Sequence, residues 1–222
     1  MIYAKDEKNN IVEANMAKKG RKYYCSGCHG QVILRCGKLR VSHFAHKKHA
    51  CDIFSEGETS EHLRGKKLLM TWLRKEGKDP QIEAYLTSLH QRPDILCNNK
   101  AFEFQCSPIS VERMSERSKG YISEGYDFFW FLGKRHLIKK RLTQQIAQFI
   151  RWHKNLGFYL IYINVEQRNM EVYYHIQQAD FLPVRFYRKK VNSWKELQDF
   201  FKQNRIKNYN LLSISERKRQ KN

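Results

Sequence analysis

Arg92-Pro93-Asp94-Ile95-Leu96-Cys97-Asn98-Asn99-Lys100-Ala101-Phe102-Glu103-Phe104-Gln105 reads as two strand-forming runs on either side of an Asn-Asn pair. Asn tolerates positive φ better than most residues, so Asn98-Asn99 suits a two-residue hairpin turn. A turn there sets Cys97 against Lys100, Leu96 against Ala101, Ile95 against Phe102, and Asp94 against Glu103. Two like charges directly across a sheet destabilise it. A sheet that keeps them needs a compensating cation or a shared proton. Mg²⁺ or Mn²⁺ meets that need, since a hard cation is held by one or two carboxylates with water and phosphate. Gln105 lies on the same face, opposite Arg92, and is placed to orient water or phosphate. Glu83, alternating outward on the preceding strand, is a further ligand or water-orienting group. The catalytic candidates are therefore Asp94, Glu103, Gln105 and Glu83.

The flanking sequence supplies the rest of an α/β unit. From Glu58 to Lys75, the residues His62, Leu63, Lys66, Leu69, Met70 and Leu73 recur at three- and four-residue spacing, which predicts a helix. Gln81 to Leu86 alternates as a half-buried strand, and Arg92–Cys97 and Lys100–Cys106 form the hairpin. Ser110 to Gly125 reads as a second helix and Tyr126 to Leu132 as a buried strand. The order α-β-β-β-α-β predicts a mixed sheet flanked by helices. Three zones follow: a small module over residues 1–55, this core over 56–135, and a basic extension of helix plus strand pair over 136–222.

The first zone holds four of the six cysteines and four of the nine histidines. Cys25-Ser26-Gly27-Cys28 has the form of a zinc knuckle, with Gly27 easing the turn. His43, His46 and Cys51 follow at about finger spacing and supply the other two ligands of a tetrahedral site. His43 with His46 closes a tighter set, and His46 with Cys51 has knuckle spacing. The expected Zn²⁺ is structural, because so small a module has too little apolar area to stand alone.

The charge points to a partner. Forty-two Lys and Arg against 22 Asp and Glu leave a formal net charge of +20. Such a surplus favours a polyanion, since each neutralised phosphate releases condensed counterions. The N-terminus meets charges at once, without a signal-peptide core. The strongest apolar runs, Phe128–Leu132 and Phe158–Ile163, are too short to span a bilayer. A cytoplasmic protein is expected, with cysteines as thiols or metal ligands.

Several motifs together resemble a known family. They are Tyr24-Cys25 with Cys28, His43-Phe44-Ala45-His46, Ser60-Glu61-His62 with Lys66, Arg92-Pro93-Asp94, Glu103-Phe104-Gln105-Cys106-Ser107, and Arg117 to Tyr121 before the Trp130 strand. In these the chain resembles the competence protein CoiA-like nucleases, within the restriction-endonuclease-like PD-(D/E)xK fold. That likeness implies metal-dependent cleavage of DNA, single-stranded above all, during natural transformation, with recombination proteins as partners. The superfamily usually carries Lys where this chain has Gln105, so Lys66 or Lys119 is the candidate substitute. In that fold the second helix lies beside the acidic site. Arg117 there becomes a phosphate clamp and Tyr121 a base-stacking ring, with Arg113 and Lys66 as further DNA contacts. Glu58, Glu61 and His62 on the first helix are accessory candidates. Two other readings stay open: an inactive single-stranded-DNA-binding accessory, and a recruitment module for recombination proteins.

Overall fold

The computed structural model describes residues 1–37, 40–47, 59–179 and 182–203. Its N-terminal strands are β1 (Tyr3–Lys5), β2 (Ile11–Glu13), β3 (Tyr23–Tyr24), β4 (Gln31–Gly37) and β5 (Arg40–His46). They pair antiparallel in the order β2-β1-β3-β4-β5 around a small core that includes Tyr23, Cys25, Val32 and Phe44. Next come α1 (Ser60–Lys75), β6 (Gln81–Ile82), β7 (Ile95–Cys97), β8 (Lys100–Gln105), α2 (Val111–Ser123) and β9 (Asp127–Leu132). This is the expected α-β-β-β-α-β order. The chain closes with α3 (Gln144–Ala147), β10 (Arg151–His153), β11 (Gly157–Asn164), β12 (Asn169–Gln177), β13 (Arg185–Val191) and α4 (Trp194–Lys202).

The hairpin forms in the expected register: Ile95 faces Phe102, Leu96 faces Ala101 and Cys97 faces Lys100. Asn98 takes a φ of 54°, the left-handed conformation that the turn requires. β8 then pairs in parallel with β9, and β9 in parallel with β11. One mixed sheet therefore runs β13-β12-β11-β9-β8-β7-β6, and residues 157–191 extend the same sheet as the hairpin.

Both faces of that sheet are covered. Leu68, Leu69, Trp72 and Leu73 of α1 and Trp194, Leu197 and Phe200 of α4 pack on Phe102, Phe104 and Phe131. On the other face, Met114 of α2 and Ile146 near Phe149 pack on Trp130, Leu132 and Leu160. Each of the two helices that frame the hairpin has a side-chain N-cap. Thr59 accepts from the His62 N–H and Ser110 from the Arg113 N–H.

The expected strand Gln81–Leu86 is cut to two residues. Glu83 has a φ of 50°, which ends the extended run. Its side chain is buried rather than directed outward, and its N–H donates to the Asp94 carbonyl at 3.0 Å.

Gly65 sets how closely α1 approaches β8. A Cβ built there would lie 1.9 Å from the buried Phe104 ring. Gly65→Ala is therefore expected to cost about 1–3 kcal/mol through overpacking. Thermal unfolding checks this, and an unchanged midpoint would rule out so close a contact.

Candidate functional site

Close approach of α1 delivers Lys66 into the interior, where it is 0% exposed. Its Nζ donates to Glu83 Oε1 at 2.7 Å and lies 3.5 Å from Asp94 Oδ1. One turn earlier, His62 Nε2 lies 2.9 Å from Asp94 Oδ2, which also accepts the Phe104 N–H at 2.8 Å. Burial pushes the Asp94 carboxyl up, but the charges of His62 and Lys66 outweigh it and hold it well below the usual carboxylate range.

Glu103 sits on the hairpin's other strand, paired across from Trp130. Its Oε1 accepts from both Arg117 Nη2 and the Tyr121 hydroxyl. Burial raises the Glu103 carboxyl and the Asp94 charge adds to it, against the pull of Arg117. The same pairing raises the Arg117 guanidinium against its own burial. The hairpin thus does bring two carboxylates together, and the chain supplies its own cations to them. Lys66 and Arg117 provide the compensation that the sequence assigned to a divalent ion, while burial keeps the Glu103 carboxyl raised.

Other candidates land elsewhere. Tyr121 is 0% exposed with its hydroxyl on Glu103, so no base can stack on it. Lys66, equally buried, cannot be a DNA surface contact. Lys119 is exposed on α2, so the lysine brought to the acids is Lys66. Arg113 pairs at the surface with Glu116 at 2.7 Å. Gln105 is buried and donates an amide hydrogen to the Ser107 carbonyl at 2.6 Å. Glu61 accepts the Lys134 N–H at 2.8 Å, after β9. Glu58 lies outside the described residues.

Arg92 is the residue whose role sequence reading missed. Expected opposite Gln105, it instead extends Nη1 to within 3.9 Å of Cys25 Sγ, while its carbonyl accepts from Arg117 Nη2 at 3.2 Å. A cation just before Pro93-Asp94 was the only available signal.

Cys25, Cys28 and His46 form a possible metal site, their ligand atoms all within 4.8 Å of one another. The Gly27 N–H points to Cys25 Sγ at 3.4 Å, and Cys28 Sγ lies 3.3 Å from His46 Nε2. Two sulfurs and an imidazole with an N–H directed at sulfur suit a structural Zn²⁺. His43 does not belong to this group. It pairs with Arg35 while His46 pairs with Val32, and three residues along a strand reverse the face. Cys51 lies outside the described residues. Among the described residues this is the one group of three or more such ligands. No third described ligand joins Asp94 and Glu103 in such a group, so a cation held there would take water and phosphate in its remaining positions. A hard-oxygen set of this kind fits Mg²⁺ or Mn²⁺.

A cleft of about 990 Å³ separates the N-terminal sheet from the larger domain. Tyr3, Lys5, Arg74, Ile82 and Tyr85 line it, and Glu83 lies in its wall. Lys67 bridges to Glu13 across it at 2.7 Å.

Comparison with known proteins agrees with this two-part organisation. Residues 58–205 match the family described as Competence protein CoiA, nuclease-like domain, and residues 6–54 match Competence protein CoiA, N-terminal domain. Over 146 residues the chain is 32% identical to the Competence protein CoiA of Bacillus subtilis (strain 168), covering 64% of this chain and 39% of that protein. No solved structure matches. The chain belongs to the competence protein CoiA family. The aligned part spans well under half of that relative's length. Among the described residues no helix is long and apolar enough to cross a membrane.

Proposed function

We propose that this chain is a metal-dependent deoxyribonuclease on a restriction-endonuclease-like core, acting in the cytoplasm on DNA taken up during natural competence. The observation that carries this reading is Lys66. It brings a buried cation to Asp94 from α1, in a chain whose superfamily lysine position is Gln105. Asp94 and Glu103 would hold Mg²⁺ or Mn²⁺, which supplies charge stabilisation on phosphate oxygens and a lowered pKa for water. His62 and the Phe104 N–H fix the Asp94 carboxylate, and Lys66 keeps it ionised. Arg117 and Tyr121 fix Glu103 from α2. Arg113, on the same helix and paired with Glu116, is a phosphate contact in this reading. The formal net charge of +20 supports a polyanionic substrate.

The accessory reading draws on one observation, the commitment of the Gln105 amide to Ser107. Incubating the full chain with labelled single- and double-stranded DNA in Mg²⁺, Mn²⁺ or EDTA separates the two. Divalent-dependent cleavage that falls by about 100-fold or more in Asp94→Asn is expected. Tight binding without cleavage in any divalent ion would replace the nuclease with a DNA-binding accessory.

A further inference from the structure

Trp152 and Phe158 lie directly across from each other on the β10–β11 hairpin, 66% and 54% exposed. Residues so paired project from the same side of a sheet with their Cβ atoms about 5 Å apart. The other three tryptophans, Trp72, Trp130 and Trp194, are buried. The charge along this stretch of chain is one-sided. From Phe128 to Val165 the chain has seven Lys and Arg and no acidic residue; Lys154 is exposed two residues beyond Trp152, while Arg151 turns its guanidinium to the Gln148 and Ile150 carbonyls.

We propose that this hairpin is a stacking site for the bases of single-stranded nucleic acid, set two strands away from β8 and its carboxylate. Adjacent exposed rings offer π-faces, and exposed Lys154, two residues from Trp152, can meet a phosphate between successive bases. Bases inside a duplex already stack on one another, so the site selects unpaired strands. An unpaired strand uses both features at once, the rings for its bases and the basic run for its phosphates. The site binds without reference to cleavage and stands whether or not Asp94 and Glu103 cut DNA.

The position of Trp152 provides its own probe, because it is the tryptophan whose emission faces solvent. Titrating the full chain with oligo(dT) in EDTA, where no cleavage intervenes, is expected to quench the red edge of tryptophan emission. Trp152→Ala is expected to weaken oligo(dT) binding, read by anisotropy of the labelled strand, by about tenfold. Trp152→Tyr should retain most of the affinity, and a blunt duplex should leave the emission unchanged. Thermal unfolding of Trp152→Ala should match wild type, since the side chain is exposed. Unchanged affinity in Trp152→Ala, or unchanged emission at saturating oligo(dT), would overturn the proposal. So would self-association of the wild type that Trp152→Ala abolishes, because a second copy would then cover the pair.

Discussion

Lys66→Met is expected to lower stability by about 3–5 kcal/mol, the typical cost of removing one partner from a buried ion pair. Methionine nearly conserves the volume, so the loss is electrostatic rather than a cavity effect. It leaves Glu83 without its 2.7 Å partner and Asp94 without a cation 3.5 Å away, in a setting where Lys66 is 0% exposed. For a chain of this size the thermal midpoint should fall by roughly 6–20 °C. A second measurement separates charge from packing. The native Asp94 carboxyl is held below its ordinary value, so its pairing stabilises the fold above about pH 4 and is lost as pH falls further. In Lys66→Met that acid-side loss should shrink, because only His62 remains to depress Asp94. Adding Glu83→Gln in the same background should recover part of the stability, since the stranded carboxylate is then gone. Full stability in Lys66→Met would show that these carboxylates are not held by the lysine.

Much of this arrangement was legible because it is local. Asn98-Asn99 set the hairpin register, and two-residue periodicity then placed Asp94 and Glu103 side by side. The apolar stripe through Leu69 and Leu73 located α1, and Thr59 and Ser110 marked helix starts. What failed depended on depth or on distant pairing. Periodicity put Lys66 and Tyr121 on faces but could not say that Gly65 lets α1 sit close to Phe104, or that Tyr121 would bond Glu103 rather than a base. Glu83 looked like an alternating strand residue, yet the pull of Lys66 goes with a left-handed backbone that ends the strand. His43 and His46 looked equivalent until strand β5 put them on opposite faces. The parallel pairing of β9 with β11 joins strands separated by α3 and β10, and no local signal encodes that junction.

Zinc analysis of the purified chain is expected to find stoichiometric metal, and Cys25→Ser to lose it together with the fold of the N-terminal sheet. Structural zinc contributes on the order of 10 kcal/mol to folding in finger-sized modules. The core around Tyr23, Val32 and Phe44 is small, and Cys25 is buried within it. A chelator should therefore unfold β1–β5 first, as an early transition in circular dichroism or as new protease cuts before Ser60. The α1–α4 domain, with its own larger core, should melt separately. The two parts are nonetheless joined at one point that matters for chemistry. Arg92 reaches 3.9 Å from Cys25 Sγ, and its carbonyl holds Arg117, which in turn holds Glu103. Zinc-bound sulfur there would give the Arg92 guanidinium an anionic neighbour, and losing the metal would free the residue two before Asp94. Chelated protein resupplied with excess Mg²⁺ should then bind DNA more weakly while its larger domain stays folded. Arg92→Ala should give the same weakening with zinc retained. If Arg92→Ala binds and cuts as wild type does, the metal module and the carboxylate site act independently.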